Sequence, residues 1–237
     1  MKKYALYLIG CFMLLAGCDT PDHRSEASQP ILLFDVKTHD QWEKTTDNWR
    51  WEGDVLIGET TAENEISRSS FFIWNKPVED FILNISFRIS EKGNSGIYYR
   101  CERGPEGYDD LLGYQADMDG GNQYTGIVYE NFLKRHRKVL AKRGELIRIS
   151  PQDSVTVFPV AVSEDFNRSL IHDGEWNQYE LIVKGALIVQ KLNGNLISMV
   201  EDQADDRIRN GLFGFQLHQG PPMKVEFKDA LYRDLTH

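Results

Sequence analysis

The chain has 237 residues, a formal net charge of −9 and an aromatic content of 11%. That length suits one large domain with a sizeable core, and the acidic balance excludes a partner held through a phosphate backbone, which needs a basic surface. Ten tyrosines and five tryptophans are compatible with a β-rich fold and with stacking on sugar rings, although strands favour aromatics whatever they bind.

At the N-terminus, Lys2 and Lys3 precede an apolar run from Tyr4 to Leu15. The run is too short for a comfortable membrane span and has the layout of a secretory signal peptide. It ends in Leu15-Ala16-Gly17-Cys18, which resembles the bacterial lipobox. Residues 1–17 are therefore expected to be removed, with Cys18 becoming the acylated first residue. Loss of Cys11 and lipidation of Cys18 leave Cys101 as the lone thiol, so the exported domain is expected to hold together without a disulfide. Residues 18–30 are polar and aperiodic and read as a flexible tether. The domain is expected over 31–237.

Within it, Ile31 to Val36 reads as a short strand and Trp49 to Glu59 as a hairpin turning at Gly53-Asp54. Phe81 to Ile89 alternates apolar and polar residues, the pattern of a half-buried strand. Asn94 to Glu102 continues it, with Ile97, Tyr99 and Cys101 opposed to Tyr98, Arg100 and Glu102. Leu112 to Asp119 sets Leu112, Tyr114, Ala116 and Met118 against Gly113, Gln115, Asp117 and Asp119. Gly120 to Asn122 break that strand before Thr125 to Glu130 resumes. The basic run Lys134 to Arg143 reads as a solvated loop or edge. Later strands are expected at Glu145 to Ile149, Thr156 to Val162, Trp176 to Lys184, Ala186 to Leu192 and Leu196 to Glu201, the last three forming a meander through Gly185 and Asn193-Gly194. Gln203 to Arg209 suits one helical turn. Gly211 to Asp229 reads as two adjacent strands around Gly220-Pro221-Pro222, with Phe213, Phe215 and Leu217 opposed to Gly214, Gln216 and His218. Many short strands separated by turn signals predict an all-β jelly-roll sandwich of two antiparallel sheets.

Three of these strands carry polar sets at period two: Tyr98, Arg100 and Glu102; Gln115, Asp117 and Asp119; Gln216 and His218. Paired in one sheet, they make a patch of cation, carboxylates, amides and imidazole suited to sugar hydroxyls, with Tyr98 or a tryptophan covering the ring's C–H face. Asp117 and Asp119 on one face, with Glu130, suggest a possible divalent-cation site. No zinc spacing, phosphate-cradling glycine loop or Gly-x-Ser-x-Gly elbow is present.

The segments Asn94-Ser95-Gly96-Ile97-Tyr98-Tyr99-Arg100, Gly113-Tyr114-Gln115-Ala116-Asp117, Tyr124-Thr125-Gly126-Ile127-Val128-Tyr129-Glu130, Gly174-Glu175-Trp176-Asn177, Leu192-Asn193-Gly194 and Gly211 through Asp229 together resemble the ordered motifs of the 3-keto-disaccharide hydrolase family. The resemblance runs from about Leu33 to Leu235. It implies a concanavalin-like jelly roll and cleavage of 3-keto-glycosides by 1,2-elimination to a 3-keto-2-hydroxy-glucal, followed by hydration. Gln115, where many relatives carry glutamate, and the basic Lys134 to Lys138 stretch depart from the family pattern.

Such an elimination needs a base, a positive or hydrogen-bonding group at the enolate oxygen and an acid for the leaving group. By residue type and expected face, Asp117 or Glu130 is the base, Arg100 or a bound cation meets the enolate, and His218 protonates the leaving group. Gln115, Gln216 and Tyr129 orient hydroxyls. The expected partners are a carbohydrate substrate and the membrane through the lipid anchor alone, with no nucleic acid; the expected location is the cell envelope, facing the periplasm or the cell surface. The alternative is a non-catalytic, lectin-like module, since this sandwich serves many roles.

Overall fold

The computed structural model describes residues 28–106, 110–131, 135, 139–159 and 164–236. The signal peptide expected over 1–17, Cys18 and the tether as far as residue 27 lie outside the described residues. In chain order the strands are β1 (Ile31–Leu32), β2 (Trp42–Lys44), β3 (Trp49–Glu52), β4 (Val55–Glu59), β5 (Ser70–Val78), β6 (Phe81–Ile89), β7 (Asn94–Arg103), β8 (Leu111–Asp119) and β9 (Val128–Asn131). There follow β10 (Val139–Ala141), β11 (Glu145–Ile149), β12 (Val155–Pro159), β13 (Asn177–Lys184), β14 (Leu187–Leu192), β15 (Asn195–Asp202), β16 (Gly211–Leu217) and β17 (Lys224–Asp234), with a short helix, α1 (Glu164–Ser169), before β13.

The strands form two packed sheets. The first runs β12-β11-β15-β14-β13-β6-β17-β4-β3, with β1 added on β17, and the second runs β10-β9-β8-β7-β16-β5-β2. The fold is the all-β jelly-roll sandwich expected, with one difference: β11 pairs with β15 in parallel. The chain arrives there from β10 in the opposite sheet, where Gly144 N–H donates to the Ile197 carbonyl. The meander β13-β14-β15 turns where expected, at Gly185 and Asn193-Gly194, all three with positive φ.

Between the sheets lies an aromatic-rich core. Phe213, Phe215 and Leu217 of β16 are fully buried there, as the period of two requires. Phe215 sits at its centre, with ring centroids 4.5 Å from Phe227, 5.4 Å from Phe213, 5.6 Å from Phe34 and 5.8 Å from Trp42. These contacts correct the reading of Gly211 to Asp229 as adjacent strands. Beyond Gly220 and the two prolines the chain leaves the second sheet, so β16 and β17 face each other across the core instead of pairing. Residues 203–209 form no helix. Strand β5 escaped the sequence reading because both its faces are buried: Phe72 and Trp74 enter the main core, while Phe71 and Ile73 join a smaller cluster on the outer face of the second sheet. A strand apolar on both sides has no alternation to detect.

One irregularity shapes that outer face. The β7–β8 register shifts between Tyr99 and Glu102, and Arg100 takes a positive φ of 51°, the signature of a bulge. Tyr99 remains in the main core, but Cys101 turns to the outer cluster with Tyr98, Phe71, Ile73 and Leu111. Cys101 is thus buried, as its apolar character predicts, but on the side opposite the one alternation assigns. Replacing Phe215 with alanine is expected to cost about 3–5 kcal/mol, measured as a lower urea midpoint with the native spectrum retained.

Candidate active site

The outer face of the second sheet holds a cleft of about 520 Å³. Gln115 and Asp117 of β8, Tyr98 of β7 and Gln216 of β16 form its polar floor, and Tyr129 of β9 and His218, just beyond β16, stand on its walls. Because Tyr114, Ala116 and Phe215 turn into the core, their chain neighbours must turn outward. Register then gathers them: Gly96 of β7 lies opposite Asp117 on one flank and Gln216 on the other.

Gly96 is where the strand needs no side chain. A Cβ at that position would lie 2.3 Å from Gln115 Nε2. The bare backbone lets the Gln115 amide reach across β7, with Nε2 3.3 Å from Gln216 Oε1, 3.4 Å from Asp117 Oδ1 and 3.5 Å from the Ser95 carbonyl. Two amide hydrogens set against three long contacts leave the layer slack, which a ligand hydroxyl would tighten. Gln216 Nε2 donates to the Tyr98 hydroxyl at 3.1 Å and to Ser69 Oγ at 3.4 Å.

Electrostatics separate the titratable groups. Burial pushes the Asp117 carboxyl well above the usual carboxylate range, and the neighbouring Asp119 pushes the same way. Burial also raises the Tyr98 phenol, which therefore acts as a neutral donor. His218 Nδ1 faces the Gln219 carbonyl oxygen. A carbonyl only accepts, so Nδ1 carries a proton and, in the neutral form of the ring, the lone pair is at Nε2.

Three expected site residues lie elsewhere. Arg100 is buried at the edge of the sandwich, where Nε donates to the Glu79 carbonyl, Nη1 to the Gly185 carbonyl and Nη2 to Asp80 Oδ1, each at 2.8 Å. The bulge turns it away from the cleft. Glu130 follows Tyr129 on β9 and so faces inward, where its carboxylate lies 3.3 Å from Arg135 Nε. Arg135 Nη2 also meets Asp202 Oδ2 at 2.8 Å, and the Tyr114 hydroxyl donates to the same oxygen at 2.7 Å. Arg135, from the basic run read as solvated, thus has a side chain only 1% exposed.

Asp119 serves its own loop. Its Oδ1 accepts from the N–H groups of Tyr124 and Thr125, and its Oδ2 accepts from Gln123 N–H. The cation site suggested by Asp117, Asp119 and Glu130 is therefore not assembled. Among the described residues, no cluster of three or more His, Cys, Asp or Glu side chains is placed to hold a metal. Sequence reasoning missed Ser69, Asn94 and Asp110, which also line the cleft. Asn94 heads a quoted motif and carried a signal; Ser69 and Asp110 sit in loops without periodicity.

The model of one protein family, the 3-keto-alpha-glucoside-1,2-lyase-like domain, matches residues 29–231. The chain belongs to this family. Membership in the 3-keto-alpha-glucoside-1,2-lyase-like family makes its function a carbohydrate-related one. Among curated proteins none matches the chain in sequence. Among solved structures it is similar to two putative glycosyl hydrolases from Parabacteroides distasonis ATCC 8503. One is 14% identical with a TM-score of 0.57, covering 87% of this chain and 100% of that one. The other is 19% identical with a TM-score of 0.57, covering 87% and 94%. The carbohydrate-binding module CBM66 from Bacillus subtilis is 14% identical with a TM-score of 0.52, covering 82% and 96%. These likenesses show that the family member shares their fold.

The raised Asp117 pKa has a consequence for stability. The folded protein binds this proton more tightly than the unfolded chain, so the favourable contribution is complete below the ordinary carboxyl pKa and is lost as pH rises through the folded value. Asp117→Asn removes the buried charge while keeping the shape. It is expected to melt above the parent near neutral pH, with the difference shrinking towards pH 4, as measured by thermal unfolding across that range.

Proposed function

We propose that the protein is an exported, lipid-anchored enzyme of the cell envelope that cleaves 3-keto-glycosides by 1,2-elimination and hydration. Family membership supports the substrate class, and the observation that carries the reading is the convergence of Asp117, His218 and Tyr98 on one cleft. A ketone at C3 acidifies the hydrogen on C2. Its removal gives an enolate that expels the glycosidic oxygen from C1, leaving the C1–C2 double bond of a 3-keto-2-hydroxy-glucal. Water then adds, hydroxyl to C1 and proton to C2, to give the free 3-keto sugar.

Hydrogen bonding and burial favour the reverse of the roles expected from residue type. Neutral His218 offers the Nε2 lone pair to the C2 proton. Asp117, protonated to higher pH than an ordinary carboxyl, hands its proton to the leaving oxygen. The Tyr98 hydroxyl and the amide N–H groups of Gln115 and Gln216 take the place first given to Arg100 at the enolate oxygen. Tyr129, on the wall, orients substrate hydroxyls.

The full-length protein is expected to cleave a 3-keto-disaccharide and spare the unoxidised disaccharide, followed by NMR of the products. Binding of the 3-keto-disaccharide without turnover would leave the carbohydrate-binding module as the reading. His218→Ala is expected to lower kcat by about 10²–10⁴-fold and to stop exchange of the C2 hydrogen in deuterated water. Asp117→Asn is expected to slow alkyl leaving groups much more than nitrophenyl ones, because a good leaving group needs little protonation. With alkyl glycosides, turnover should fall as pH rises through the raised Asp117 pKa.

The anchor has a separate test. Cys18→Ser is expected to abolish fatty-acid labelling and release the protein from membranes, since the acyl chains supply the membrane affinity. Unchanged labelling and fractionation would remove the lipoprotein reading.

A further inference from the structure

Beside the cleft lies a second, larger concavity of about 720 Å³. The two share Ser69 and Asp110 in their walls, so they adjoin there as two neighbouring lobes. Ser69 is the joint: its hydroxyl accepts from Gln216 Nε2 at 3.4 Å and donates to Gln219 Oε1 at 2.6 Å, and Gln216 and Gln219 both line the first lobe.

The lobes differ in chemistry. The first has a floor of amides, a carboxyl and a phenol. The second is floored by Ile73 and Leu111, each 2% exposed, which belong to the outer-face cluster that also holds Tyr98 and Cys101. Charged residues also line it, Arg68, Arg103, Glu65 and Glu106 among them, with Arg103 paired to Glu43 at 2.6 Å. An apolar floor among polar side chains suits a ring that presents one apolar face and a hydrogen-bonding edge. The first lobe already has the volume and polar groups for the reacting sugar, and nothing in the elimination itself uses the second.

We propose that the second lobe is the leaving-group subsite, which binds a ring-sized aglycone with its apolar face on Ile73 and Leu111 while the 3-keto ring occupies the first lobe. The glycosidic oxygen then lies at the junction by Ser69 and Asp110. This rests on the reading of the first lobe as a 3-keto-glycoside site. A ring of this kind is either a second sugar or an aryl group, and both are tested.

The experiment measures binding, so that it stands apart from turnover. Dissociation constants of methyl, glucosyl and phenyl 3-keto-glucosides are determined by calorimetry on the full-length protein carrying Asp117→Asn, in which the methyl and glucosyl ligands are cleaved slowly; the phenyl ligand is measured also with His218→Ala. At least one ring aglycone is expected to bind about tenfold or more tighter than methyl, and the arm that gains identifies the aglycone as sugar or aryl. Ser67→Trp and Glu106→Trp, at exposed positions lining only the second lobe, are expected to bring that ratio close to one by filling the lobe. Equal affinity for all three ligands would overturn the subsite, as would an undiminished ratio in both tryptophan variants with unchanged melting temperatures. Tight, aglycone-dependent binding without turnover in the wild-type protein would remove the enzymatic reading and leave the subsite standing.

Discussion

Arg100 fastens a corner of the sandwich and, by doing so, turns over the end of β7. Its guanidinium donates to the carbonyl of Glu79 and to Asp80, in the turn that joins the two sheets through β5 and β6, and to the carbonyl of Gly185, in the first sheet's meander. Burial pulls its pKa down and the Asp80 carboxylate opposes that pull. A buried cation whose partners are removed is strongly destabilising, about 3–5 kcal/mol, which is enough to hold Arg100 in a left-handed backbone conformation that a non-glycine residue otherwise avoids. The bulge then sends Cys101 outward to join Ile73 and Leu111. The apolar cluster behind the second lobe thus gains Cys101 through an arginine that lines neither lobe.

Much of this architecture is legible in the sequence where one side of a strand meets water or a polar cleft. The alternation of Phe213, Phe215 and Leu217 with Gln216, and of Tyr114 and Ala116 with Gln115 and Asp117, places the floor of the site correctly because a period of two admits only two faces. The same rule misplaces Arg100 and Cys101, since a bulge inserts one residue and inverts every face after it. Glu130, expected beside Asp117 by residue type, lies instead on the face of Tyr114, its partner in register, and looks inward onto Arg135, which also meets Asp202. A polar residue paired inside a core and one lining a cleft have the same pattern in the chain. Proline and glycine between β16 and β17 mark a break in the strand, but not whether the chain turns back within its sheet or crosses to the other.

The site is built at some expense to the fold. Asp117 is held in a dry floor beside a second carboxylate, Gln115 stretches over a strand that has surrendered its side chain at Gly96, and Gln115 Nε2 makes only long contacts. Each of these departs from what stability alone would select, and they coincide in one cleft. The loop after β8 contrasts with them: Asp119 is saturated by N–H groups from its own turn. Neighbouring acidic residues with the same outward parity thus differ in setting, one held by its own turn and the other lying buried in the floor of the cleft.

The last strand carries a consequence for how the molecule is made. β17 lies between β6 and β4, and β1 adds to it as well, so the β3–β4 hairpin reaches the first sheet only through β17. A chain that emerges or is threaded N-terminus first cannot close this sheet until its final eleven-residue strand is free. Pairings so distant in sequence form late, because loop closure must precede the contacts that reward it. The topology therefore delays closure of the first sheet until β17 is available to pair, however much of the two packed sheets has formed by then.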